Sequence, residues 1–199
     1  NTLAGTQLIN STPVAGLDTI ERPVTNGTKV LVANEGEPNG NGVDPAGSVS
    51  LIDLSNGVAD AVVQTADFTT FDGQEATLRA QGVRIFPGKS VSEDVEPESI
   101  AISADGATAF VTLQEANAFG VLDIAAVTFT AIKPLGLKDH ALAGNTLDAS
   151  DRDGRINLQN WPVFGMYTPD AVASFDVQGA AYYAAADEGG DRGKVDHSK

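Results

Sequence analysis

The sequence predicts an all-β fold, a β-propeller of four-stranded antiparallel blades, from three observations. Runs of alternating apolar and polar residues are separated by Gly-containing turns. The pattern occurs three times, and each copy ends its second run with an acidic or amide residue followed by Glu. Four antiparallel strands joined by hairpins make one blade, whose apolar face only a neighbouring blade can cover. We therefore expect a partial propeller over residues 1–199, with blades in residues 17–66, 97–133 and 169–199.

The middle copy is the clearest. Pro97 to Ser103 alternates as a half-buried strand should, and Asp105-Gly106 supplies the turn, because Gly adopts positive φ without steric cost. Ala109 to Leu113 forms the return strand and ends in Gln114-Glu115. Residues 117–124 and 127–132 complete the four strands.

The outer copies follow the same order. In the first, a weak strand at residues 20–24 and the Asn26-Gly27 turn precede a strand at residues 30–33, which ends in Asn34-Glu35, and residues 48–54 form a later strand. In the third, strands at residues 170–177 and 182–186 flank a Gln178-Gly179 turn. Because about four to eight blades close a ring, we expect the remaining blades from the same protein or from further copies.

Two insertions separate the copies, at residues 67–96 and 134–168. The first predicts a short helix at residues 74–81 and a loop at Pro87-Gly88. The second has little periodicity, yet it is rich in large apolar residues, which would not be left in water. We therefore expect an ordered loop that buries Trp161, Phe164, Met166 and Tyr167.

Composition narrows the classes of function. The chain has 27 acidic and 12 basic residues, a net charge of −15, so we expect no nucleic-acid partner. It has no cysteine, which excludes disulfides and thiol chemistry. No apolar run approaches the roughly 20 residues that span a bilayer, so we expect no transmembrane segment. Asn1 and the polar C-terminal residues indicate a piece of a longer polypeptide.

Three glutamates, Glu35, Glu115 and Glu188, occupy the same place in successive copies. Repetition places equivalent positions at one end of a propeller, where gathered carboxylates repel unless a cation joins them. We expect a divalent cation site, Ca²⁺ because all donors are oxygens, with Glu37 and Asp187 as further ligands. The alternative is structural: each Glu accepts backbone N–H bonds and holds the neighbouring blade.

A second acidic segment, residues 148–156, resembles a calcium loop, with Asp148, Asp151 and Asp153 as candidate ligands before Gly154. Asn160 stands where an EF-hand has its closing Glu, so the segment is not a standard EF-hand. A solvated polar loop is the alternative.

Asp139-His140 has the residue types of acid–base catalysis. His140 would be the base or a ligand and Asp139 its partner, whereas an ordinary hydrogen-bonding histidine is the alternative. The sequence contains no nucleophile elbow, P-loop, zinc-protease helix or dinucleotide fingerprint.

Several strings resemble the choice-of-anchor I proteins, a family of secreted bacterial β-propellers often labelled alkaline phosphatase-like. The resemblance spans residues 27–192 and is most specific in the second insertion, although residues 18–25 and the residues after 190 depart from it. The matching segments are residues 30–38, 47–54, 111–115, 136–140, 147–154 and 160–167. The resemblance implies an extracellular propeller of about seven blades.

Two functions remain open at this point. The first is a secreted, periplasmic or cell-surface module, stabilised by Ca²⁺, that binds a partner or joins an extracellular assembly. The second is a metal-dependent phosphoester hydrolase acting on a small phosphoester, with another divalent cation held by the carboxylates and His140. Convergence separates them, because hydrolysis requires the carboxylates to surround one open cavity.

Overall fold

The computed structural model describes residues 24–26, 28–38, 44–150 and 152–189. β-Strands in antiparallel sheets are the main secondary structure of these residues, and within them no barrel or ring closes. The predicted strand at residues 20–24 lies outside the described residues except for Val24.

The first sheet has four strands in sequence order: β1 (Val24–Asn26), β2 (Lys29–Asn34), β3 (Ser48–Asp53) and β4 (Val62–Asp67). Every neighbouring pair is antiparallel, and Asn26 pairs with Lys29 across the first turn. On one face Leu31 lies opposite Leu51 and Ala33 opposite Val49, and all four are buried.

The middle sheet repeats this arrangement with β5 (Pro97–Ile102), β6 (Thr108–Leu113), β7 (Ala118–Asp123) and β8 (Thr128–Pro134). The four predicted strands of the middle copy are confirmed. Its first turn contains Gly106 at φ 71°, and Asp105 accepts hydrogen bonds there from the Ser103 hydroxyl and the Ala107 amide. The Ser103 bond is the main reason why the pKa of Asp105 is lowered.

The third copy is a hairpin of β13 (Pro169–Val177) and β14 (Ala180–Asp187). Its turn residues Gln178 and Gly179 both have positive φ, 54° and 82°, which is the geometry that twisted hairpins favour. The predicted hairpin is confirmed, with its second strand longer than expected.

The first insertion packs beside the first two sheets. The predicted helix is α1 (Glu75–Gln81), which ends at Gly82 in the left-handed conformation, and a second helix, α2 (Val91–Asp94), was not predicted. Phe68, fully buried at the start of the insertion, stacks on Phe129 of β8 with ring centroids 4.0 Å apart. The insertion therefore belongs to the same core as the sheets.

The second insertion contains two miniature ladders. Strands β9 (Lys138–Asp139) and β12 (Phe164–Gly165) pair, as do β10 (Leu147–Asp148) and β11 (Leu158–Gln159). The expectation of an ordered loop agrees with these pairings, but the expected burial is wrong for three of the four side chains, since Trp161 is half-buried and the others are exposed. Phe164 is 66% exposed and Met166 44%, because the short ladders fix the backbone without enclosing the side chains.

Candidate functional site

The candidate site is the end of the sheets at which β2, β6 and β14 finish. Its geometry depends on how the hairpin packs on the middle sheet. The Val172 amide donates to Ser99 Oγ at 3.4 Å, and Ser174 Oγ donates to the Ile102 carbonyl at 2.6 Å. Because residue numbers rise together along this contact, β13 and β5 run in the same direction. The carboxyl ends of β6 and β14 therefore lie at one end of the stack, as the repeat predicts.

Glu115 and Glu188 follow these two strands, and hydrogen bonds from neighbouring side chains hold their main-chain carbonyls. Gln114 Nε2 lies 3.4 Å from the Glu188 carbonyl oxygen, which also accepts from Thr168 Oγ1. Arg84 Nη1 donates to the Glu115 carbonyl at 3.3 Å. These bonds use main-chain carbonyls, so they leave the two carboxylates available for other contacts.

The Glu115 carboxylate has one notable feature. Its Oε2 is buried and finds no hydrogen-bond partner among the described residues. A buried carboxylate oxygen without a partner loses its hydration without compensation. Glu188, by contrast, is exposed, as are Asp187 and Glu37.

Glu35 lies at the same end because β2 finishes beside the start of β5. Gly47 makes this approach close: a Cβ there would lie 2.2 Å from the Val95 carbonyl oxygen and 3.1 Å from that of Glu35. Glu35 is half-buried. The repeat thus brings Glu35, Glu115 and Glu188 to one end of the stack, but the described residues contain no group of three or more His, Asp or Glu side chains arranged to hold a metal ion.

The acidic loop of the second insertion binds its own backbone. Asp148 Oδ2 accepts the Asn157 amide at 2.9 Å, which closes the loop where β10 meets β11. Asp153 accepts a hydrogen bond from the Arg155 backbone amide at 3.3 Å. Its carboxylate also forms an exposed ion pair with the Arg155 guanidinium. Asp151 lies outside the described residues. These contacts are those of a hydrogen-bonded polar loop.

Asp139 and His140 are adjacent in sequence but turn to different partners. The Asp139 carboxylate accepts the Ala141 amide at 2.9 Å, whereas His140 Nδ1 lies 2.7 Å from the Asn145 carbonyl oxygen. A carbonyl can only accept, so His140 Nδ1 is the donor in this bond. Nε2 packs against Gly165, where a Cβ would lie 2.9 Å away. The geometry is that of a histidine fixing the loop.

Comparison with protein families supplies the remaining observation. The family model described as the choice-of-anchor I domain matches residues 20–198. The chain belongs to the choice-of-anchor I domain family. Membership associates it with the cell surface. No curated protein matches the chain. Among the described residues no helix is long and apolar enough to cross a membrane.

Sequence reasoning missed two acids in the first insertion of this choice-of-anchor I domain, the buried Asp94 and the exposed Asp72. Asp94 is 1% exposed, and its Oδ2 accepts the Phe86 amide at 2.7 Å. Asp72 accepts the amide and the hydroxyl of Ser92, at 2.9 and 2.8 Å. Asp94 lies between Val91, the first residue of α2, and Val95, which follows the helix, so an acid placed between apolar positions was the available signal.

Lys89 completes this region. It forms an ion pair with Asp44, and the hydrogen bond to Asp44 is the main reason why the pKa of Lys89 is raised. This ion pair joins residue 44 to the insertion, and the Gly47 amide donates to the Ser92 carbonyl at 3.2 Å, so the connection between β2 and β3 is held to α2. We assign these acids to the packing of the choice-of-anchor I domain, because each accepts bonds that hold one segment to another.

Proposed function

We propose that this chain is part of an extracellular β-propeller that binds a partner or joins an assembly at the cell surface. The observation that carries the proposal is the stacking: the hairpin lies on the middle sheet with β13 and β5 in the same direction. Successive blades of a propeller pack in this way. Family membership supports the surface location.

The propeller is tested on the natural full-length protein by electron microscopy. A closed ring of blades, with this chain forming neighbouring blades, is the expected result. An open or unrelated arrangement of the three sheets would contradict it. Location is tested separately, by antibody labelling of intact and permeabilised cells that produce the protein. Labelling only after permeabilisation would refute a surface role.

We also propose that Ca²⁺ stabilises the domain at the end of β6. The support is the chemistry of Glu115, whose buried Oε2 lacks a partner among the described side chains and backbone groups. A carboxylate oxygen is a ligand that Ca²⁺ prefers, and an ion bound only by the folded state raises stability by mass action. Glu35 and Glu188 flank this position in the stack.

The test is thermal unfolding of the chain with Ca²⁺ and with chelator. We expect a higher Tm with Ca²⁺, and we expect Glu115→Gln to remove the difference. Asp60→Asn is the control, because Asp60 is exposed, lies between β3 and β4 and is not one of the proposed ligands, so it should leave the difference unchanged. An unchanged Tm in the wild type, or equal effects of both substitutions, would refute the site. The hydrolase interpretation gains no support from the described residues, since they contain no group of three or more acidic or histidine side chains that could hold a metal ion.

A further inference from the structure

The contact between Lys89 and Asp44 joins two distant segments of the chain. Asp44 lies in the connection between β2 and β3, and Lys89 lies in the first insertion, 45 positions further along. Lys89 Nζ contacts Asp44 Oδ2. The backbones of the same two segments are bonded as well, since the Gly47 amide donates to the Ser92 carbonyl at 3.2 Å. The fold therefore holds the amine and the carboxylate together.

The Asp44 carboxylate lies in surroundings that disfavour its charge. Its side chain is only 12% exposed. Oδ1 is buried and finds no hydrogen-bond partner among the described residues. A carboxylate that leaves water in this way gains the ion pair in exchange, but the desolvation of two charges can exceed their attraction. A product without charge would remove this cost.

A second lysine–aspartate pair, Lys29 with Asp53, shows the contrast. Its Nζ lies 3.8 Å from Oδ2, and the two side chains are 37% and 29% exposed. Asp53 Oδ1 accepts the Ser55 amide at 2.9 Å, and this bond is the main reason why the pKa of Asp53 is lowered. Water and a backbone donor thus stabilise the charge of Asp53, as in an ordinary surface ion pair.

We infer that Lys89 and Asp44 condense to an amide, which cross-links the two segments covalently. A proton of the ammonium first passes to the carboxylate that it contacts, which gives a neutral amine and a neutral carboxylic acid. The lone pair of Nζ then forms a bond to Cγ of Asp44. The bond from Cγ to the hydroxyl oxygen breaks, and this hydroxyl leaves as water with one proton from the nitrogen. No oxidant, reductant or cofactor takes part.

Confinement by the fold favours this reaction, which a free amine and a free acid do not undergo in water. Well-oriented groups in one molecule react as if at effective concentrations of up to about 10⁵–10⁸ M. The hydrogen bond to Asp44 raises the pKa of Lys89, so the neutral amine is rare and the amide forms slowly after folding. The chain has no cysteine, so a disulfide cannot join these segments instead. The cross-link goes beyond the proposed function and requires neither a closed ring nor Ca²⁺.

Tryptic peptide mapping of the natural full-length protein tests the cross-link, once the purified protein has been kept until the map no longer changes. We expect residues 30–79 joined to residues 85–138 in one species, lighter than the sum of the two peptides by one water. Cleavage after Lys89 should be absent, whereas cleavage after Lys29 should be complete and serves as the internal control. Separate peptides, with complete cleavage after Lys89, would overturn the inference.

Two variants identify the groups that react. Lys89→Arg keeps the positive charge and the cleavage site, but a guanidinium is not deprotonated in proteins and cannot condense. Asp44→Ala removes the acid and should restore cleavage after Lys89. We expect separate peptides from both variants. A linked species that persists in either variant would overturn the inference, because another amine or another acid would then form the bond.

Discussion

The middle sheet and the β13–β14 hairpin share one sequence pattern, yet their burial is opposite. On β6, Ala109, Val111 and Leu113 are fully buried in the core, while Phe110 contacts the hairpin on the other face. On β14 all residues but one are exposed. The same alternation thus gives a two-sided core in one copy and a largely bare surface in the other. Burial in this fold depends on the neighbours of a sheet, and the strand pattern alone does not decide it.

The strongest test of this comparison is the same substitution, valine to alanine, in each region. Val111→Ala deletes a side chain that is 0% exposed, and we expect it to lower the free energy of unfolding by about 2–3 kcal/mol. Val177→Ala acts on a side chain that is 46% exposed and should change it by less than about 0.5 kcal/mol. Urea unfolding of the two variants measures the contrast. Equal losses would mean that the hairpin is covered in solution.

A second pair of substitutions compares two glycines at the end of the stack where β2 and β14 finish. Gly47→Ala places a Cβ 2.2 Å from the Val95 carbonyl oxygen and 2.6 Å from Pro97 Cδ. Backbone must move to relieve this contact, so we expect a loss of about 1–3 kcal/mol. Gly189→Ala, beside the end of β14, meets no atom within 4 Å and should be nearly neutral. A stable Gly47→Ala variant would show that β2 and β5 need not approach so closely.

The smallest effect concerns the contact between the two regions. Burial against the middle sheet raises the pKa of Tyr183 above its usual value of 10.0, with a smaller contribution from Asp105. Because the folded state favours the protonated phenol, its stabilisation is present below the unfolded pKa and is lost as pH rises through the folded value. Tyr183→Phe should therefore reduce the loss of stability above about pH 10. Chemical unfolding at pH 8 and at pH 11 measures this difference, and equal pH dependence of the two proteins would contradict it.

The sequence was sufficient for features set by local chemistry. Alternating residues and Gly turns predicted the hairpins at Gly106 and Gly179, and α1 ends at Gly82 as a helix should. It was insufficient where distant residues decide the structure. Helix α2 has only four residues and is held by the bonds that Ser92 donates to Asp72, and the ladders of the second insertion pair residues up to 27 positions apart.

The candidate site also has a part that the sequence predicted and a part that it did not. Periodicity placed Glu35, Glu115 and Glu188 at one end of the stack, because equivalent positions in a repeat occupy equivalent places. Periodicity carries no information on where a carboxylate points. The partnerless oxygen of Glu115 and the backbone bonds of Asp148 and Asp139 depend on side-chain geometry. The burial expected for Phe164 failed because its apolar character says nothing about which neighbours enclose it.

The two bonds at the Glu188 carbonyl also determine how the domain bears tension. A pull on the chain beyond Glu188 reaches first the contacts from Gln114 and Thr168, which anchor that residue to the middle sheet and to the start of β13. Once they rupture, β14 peels from β13 from its carboxyl end, so the ladder opens one rung at a time and not all at once. For a domain at the surface of a cell, the bonds from Gln114 and Thr168 would set the force at which the hairpin begins to unfold.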